Sequence, residues 1–167
     1  RASVASGRNE ALVLAAWRRA LGRRVDADAL TEEAQALLTA SPDLLTADQA
    51  ALLTLALEQQ EFIDDAVLST CRQNAEQRLA FWAQVVRGVP DECAGLPWVL
   101  VGLTGWVSGD GALQVVGVEE AQARGVEDGW VRMLDIVNQL VLPPQHWEEM
   151  RLAQLVGAET SGDTLLE

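Results

Sequence analysis

Apolar residues recur every three or four positions along nearly the whole chain, the period of helices that bury one face. The pattern predicts a helix over 9–21, with Leu12, Ala15 and Ala16 on one side, Trp17 on the flank, arginines opposite, and Gly22 as its stop. A second helix follows over 28–40, acidic at Asp28, Glu32 and Glu33 and apolar at Leu37 and Leu38, before a turn at Ser41-Pro42-Asp43. Thr46-Ala47-Asp48-Gln49 has the form of a capping box. The helix it opens, through Glu58, is apolar nearly all round and is expected to be central. The stretch 61–87 reads as helical with a break expected near Ser69-Thr70, and its end places Leu79, Trp82, Ala83 and Val86 on one face before Gly88 and Pro90.

The second half continues in the same period. A helix over 97–107 carries no charge, so it must be buried on every side, and its Gly102 and Gly105 allow neighbouring backbones to approach closely. Asp110 is positioned to cap a helix over 111–124 that Gly125 ends; Asp128 is positioned to cap another over 129–141. Pro143-Pro144 is expected to open a last helix through Val156. No run alternates strictly enough to read as a half-buried strand. The prediction is all-α: a compact array of about seven or eight antiparallel helices. Residues 1–45 form a helical pair, 46–156 the helical body packed with it as one domain, and 157–167 a polar, frayed tail.

Composition narrows the function. The chain has 167 residues, 49% of them apolar, with 25 Asp+Glu against 12 basic residues, all of them Arg, for a net charge of −13. That much apolar content excludes a disordered acidic tail. The charge is uneven: residues 1–24 hold Arg1, Arg8, Arg18, Arg19, Arg23 and Arg24 against Glu10, while six arginines and 24 acids follow. The acidic body disfavours nucleic acid and anionic membrane surfaces, and the basic leading segment is expected to dock against it or simply to solvate a helix face. Two cysteines without a CxxC spacing, and one histidine, exclude an ordinary Cys/His zinc site. Both thiols are read as reduced, with Cys71 on a helix, which points to the cytoplasm. No cofactor and no metal are expected.

Candidate chemistry is sparse. His146, between Gln145 and Trp147, would need a cleft and an orienting partner such as Glu149 to act as a base. Glu58, Glu61 and Asp65, spaced three and four apart, could share a helix face and attract a cation or a basic partner; a solvated face has the same pattern. The six tryptophans suit core packing, and Trp130 and Trp147, both at helix starts, are best placed to line a groove. These readings favour a non-catalytic interaction or regulatory module of a larger protein. It would bind a neutral or basic partner chain or a second copy, for instance through the uncharged helix 97–107. The alternative is a small-ligand or metal-dependent enzyme using the acids and His146.

Trp106-Val107-Ser108-Gly109-Asp110-Gly111-Ala112, with the later turn Glu127-Asp128-Gly129-Trp130, describes a tight helical hairpin similar to one tetratricopeptide unit, without a second copy. Ala80-Phe81-Trp82, Trp106…Gly109-Asp110-Gly111-Ala112 and Leu142-Pro143-Pro144…Trp147 together resemble the C-terminal part of the actinobacterial domain-of-unknown-function family 4192, over 53–147. An Arg-Asp pair associated with the family is Asp64-Asp65 here, and its Asp-Pro-x-Tyr is Asp128-Gly129-Trp130. The family generally has a further N-terminal domain. The resemblance implies a helical relative and supplies no activity.

Overall fold

In a computed structural model the backbone is described for residues 2–163 and the side chains for 9–157. Among the described residues the fold is all-α, without strands. It comprises α1 (Ala2–Gly22), α2 (Ala27–Ala40), α3 (Ala47–Ala56), α4 (Gln60–Leu68), α5 (Ala75–Arg87), α6 (Gly95–Ser108), α7 (Gly111–Ala123), α8 (Gly129–Leu140) and α9 (His146–Asp163), with a 3-10 turn at Asp91–Cys93. The count exceeds the expected seven or eight because 61–87 divides fully. Asn74 holds the break open: its Nδ2 donates to the Ser69 carbonyl at 2.9 Å and its Oδ1 accepts the Cys71 N–H at 2.9 Å. Cys71 therefore lies in a turn, not on a helix, and both cysteines are free thiols.

The expected caps are in place. Thr46 and Gln49 form the reciprocal capping box, and the carboxylates of Asp110 and Asp128 accept the N–H groups of Leu113 and Trp130. The α6 helix starts two residues before Pro97. Pro143 and Pro144 precede α9 and accept the His146 and Trp147 N–H groups through their carbonyls, so the last helix opens after the prolines. Past Val156, α9 runs on to Asp163; residues 164–167 of the polar tail lie outside the described residues, as do the side chains of Arg1 and Arg8.

The core is centred on α3 and α6. Every residue of α3 from Ala50 to Ala56 is buried, and α6 is buried from Val99 through Val107 between α5 and α7. The uncharged stretch is thus covered inside one chain, and at its start the Trp98 ring stays half-buried. The α6–α7 approach is set by glycine: a Cβ on Gly117 would lie 2.5 Å from the Cα and N of Gly102 and 2.9 Å from the Trp98 carbonyl. α1 and α2 pack against α3, apolar through Ala16, Ala20, Leu30, Ala34 and Leu38. At the surface Arg19 pairs with Asp48 at 2.9 Å, Arg24 grips Glu58 at 2.7 Å, and Arg23 pairs with Glu33. The basic end of α1 thus docks on acids of α2, α3 and the α3–α4 turn.

Candidate functional site

Three tryptophans from three helices meet where α4, α6, α8 and α9 converge. Trp106 packs edge-on to Trp147 with ring centres 6.2 Å apart, and Trp130 packs edge-on to Trp147 at 6.5 Å. Each indole N–H reaches a different segment: Trp106 donates to the Leu142 carbonyl at 2.9 Å, Trp147 to the Thr70 carbonyl at 2.8 Å and Trp130 to Asp64 Oδ1 at 2.8 Å. Large apolar bodies with a satisfied polar tip are how such rings fasten a junction. Trp147 is only 1% exposed, so it builds this corner and lines no open groove; Trp130 is half-buried and its N–H is already engaged.

The turn from α6 to α7 completes the corner. Gly109 takes φ +93°, which a side chain disfavours, and Asp110 N–H closes back on the Gly105 carbonyl at 2.8 Å. Gly109 and Pro144 touch two clefts, one on either side. The first, about 600 Å³, is polar, with Arg72, Gln73, Glu76, Ser108, Gln145 and Glu148 on its walls. Glu148 is held below the usual carboxylate range, first by its bond from Arg151 at 2.9 Å, and it also accepts the Arg72 N–H at 3.2 Å. The second, about 240 Å³, is uncharged and bordered by Trp106, Gly111, Gln114, Val115, Val137, Asn138, Val141 and Leu142. Gly111 is at the start of α7, and Pro143 is exposed beside Pro144.

The acidic candidates lie elsewhere. Glu61 and Asp65 share a cleft of about 580 Å³ between α2 and α4 with Asp28 and Glu32. Burial, then Glu61 and Asp64, pushes the Asp65 carboxyl up. Glu58 does not join them, because it sits in the turn before α4 and faces Arg24. His146 is exposed at the start of α9, in a different part of the fold. Among the described residues no three His, Cys, Asp or Glu side chains are placed to hold a metal ion, and no helix is long and apolar enough to cross a membrane.

A groove that sequence reasoning missed runs along α5. Leu79, Ala80, Ala83 and Val86 form one wall, Trp98 and Val101 of α6 the floor and Leu113 of α7 the far side, enclosing about 370 Å³, with Glu76 and Arg87 at the margins. The α5 periodicity contained the signal, since Leu79, Ala83 and Val86 fall on one stripe. Only Trp82, from the same expected face, turns fully inward. Trp98 remains half-buried, with Arg124 over its ring 6.0 Å from the centre.

A family model described as a domain of unknown function (DUF4192) matches residues 1–145. The match reaches back through α1 and α2, before the stretch 53–147 that carries the resemblance. No curated protein and no solved structure matches the chain.

Proposed function

The chain belongs to the domain-of-unknown-function family DUF4192, and from that premise we propose that it is a non-catalytic docking module that holds a partner helix in the groove along α5. The observation that carries this reading is the apolar groove itself: a half-buried strip of Leu79, Ala83, Val86, Trp98 and Leu113 over the buried Val101, on a chain of charge −13. From Glu76 to Arg87 the strip is about 16 Å long, three helical turns, which suits an amphipathic helix that anchors at i, i+3 or i+4, and i+7. Ala80 and Ala83 let the incoming backbone approach closely. The chain's net charge of −13 favours a partner that is neutral or basic overall and makes the complex weaken with salt. In the same reading α6 and α7 act as a tetratricopeptide-like hairpin that presents the groove, and the module works in the cytoplasm as part of a larger protein.

The enzyme alternative draws on Glu61 and Asp65 sharing one cleft with Asp28, Thr31 and Glu32; among the described residues no histidine and no metal-ligand set joins them. The test is affinity capture from host lysate with the wild-type chain and with Ala83→Glu, which puts a charge into the groove. A partner held by the wild type and lost by a variant with unchanged helicity and melting is the expected result. Identical captured sets from the two proteins would overturn the reading.

A further inference from the structure

The uncharged pocket between the start of α7 and the end of α8 lies apart from the groove along α5, and its walls hold a polar group with no use inside the fold. Gln114 is 5% exposed, its Nε2 is buried, and no described group accepts from it. A buried donor left unpaired is costly, and native folds rarely keep one without a reason. Its neighbour across the pocket, Asn138, supplies a second carboxamide. The mouth is equally unusual. Val141 caps α8 at φ 51° and ψ 45°, a left-handed conformation that a β-branched residue adopts only under strain, and it is 84% exposed. Strain of this kind persists where the surrounding structure enforces it, commonly at ligand-binding positions.

We propose that this pocket seats one apolar residue of a peptide together with its neutral main-chain amides. The volume, about 240 Å³, is below that of a drug-sized site and fits a single side chain with its flanking peptide units. Two carboxamides offer both a donor and an acceptor, the complement of a peptide bond, and Val115, Val137 and Val141 receive the side chain. No charged side chain lines the pocket, so a terminal carboxylate or ammonium would lose its water there without a counter-charge. The inference is independent of the groove along α5, and each can fail alone.

The test is a ¹⁵N-resolved titration of the full chain with N-acetyl-leucinamide, N-acetyl-leucine and leucinamide as probes. The neutral probe produces saturable shifts at the N–H groups of Gly111, Gln114, Val115, Asn138 and Val141 at millimolar concentrations, while the two charged probes bind about tenfold more weakly. Gln114→Met, checked for intact spectral dispersion, weakens the neutral probe about fivefold. Val141→Gly serves as the second variant: it relaxes the left-handed cap and raises the melting temperature, yet it also weakens the neutral probe. Shifts that stay linear, charged probes that bind as well as the neutral one, or variants that bind like the wild type would overturn the proposal. Binding confined to the α5 groove residues would overturn it while leaving the docking reading standing.

Discussion

The inner pair α6–α7 and the outer layer α1–α2 are fastened in opposite ways. Between α6 and α7 two backbones meet at Gly102 and Gly117, so closely that no side chain fits, and the adjoining corner is tied by indole N–H bonds to carbonyls or a carboxylate. The outer helices lay alanines and leucines on α3 and add exposed arginine–carboxylate pairs at the rim. Shape that cannot yield is specific and costly to disturb. Surface charge is adjustable and cheap to lose. The difference explains how a strongly acidic chain folds: its acids are kept at the periphery, while the centre is assembled almost without charge.

The largest effect is expected where backbone meets backbone. Gly117→Ala should destabilise the chain by about 3 kcal/mol or more, because the atoms a new Cβ meets are main-chain atoms of Gly102 and Trp98 that cannot rotate away. For a chain of this size that is a fall of about 6–12 °C in melting temperature. Gly129→Ala is the matched control: a Cβ there meets nothing within 4 Å, and the variant should gain about 0.5 kcal/mol. Equal losses from both variants would show that the inner pair is not held by close approach.

Trp147→Phe comes next, with an expected loss of about 2 kcal/mol, since the ring volume is largely kept while the Thr70 carbonyl loses its buried donor. Chemical denaturation measures it directly. Arg78 tests the rule that the centre excludes charge, because it breaks that rule. It is 9% exposed, burial lowers its pKa, and its Nη1 has no hydrogen-bond partner. Arg78→Met should therefore stabilise the chain by about 1 kcal/mol, as buried charges replaced by apolar residues of similar volume often do. A loss of stability would mean that Arg78 is a structural tie after all. On the outside, Arg24→Ala should cost less than about 1 kcal/mol, a difference that shrinks in concentrated salt.

Much of this architecture could be read from the residues. Capping chemistry is local, so Thr46 with Gln49, Asp110 and Asp128 marked helix starts that the structure reproduces. The uncharged composition of 97–107 required full burial, and Gly102 pointed to close approach, though its partner Gly117 could not be found because the pairing is tertiary. Asn74 was illegible for the same reason: a break in a helical pattern depends on which carbonyl a side chain reaches in space. The candidate sites fared less evenly. Trp147, at a helix start, suits either core packing or a groove, and its position in sequence does not reveal that Trp106 and Trp130 enclose it. Glu61 and Asp65 do share a cleft, yet Asp28 and Glu32 reach it only through the packing of α2 beside α4. Trp98 is one of the six rings that suit core packing, and an uncharged helix over 97–107 gives no sign that the ring at its start floors a groove.

The smallest effect concerns the acidic cleft, where like charges gather at the periphery without a partner. Asp65 has its carboxyl pushed up by burial and by Glu61 and Asp64, so the folded chain binds that proton more tightly than the unfolded chain does. The ionised group therefore opposes folding in full above its folded pKa and ceases to do so below its unfolded one, near 3.9 for an ordinary Asp. Asp65→Asn should be slightly more stable than the wild type at pH 7, and the advantage should vanish as the pH falls through the carboxylate range. Melting curves for the two chains from pH 7 to pH 4 read the difference. A variant less stable than the wild type at neutral pH would mean that Asp65 makes a contact worth more than its repulsion, and the periphery would then be fastened by its acids even where no arginine faces them.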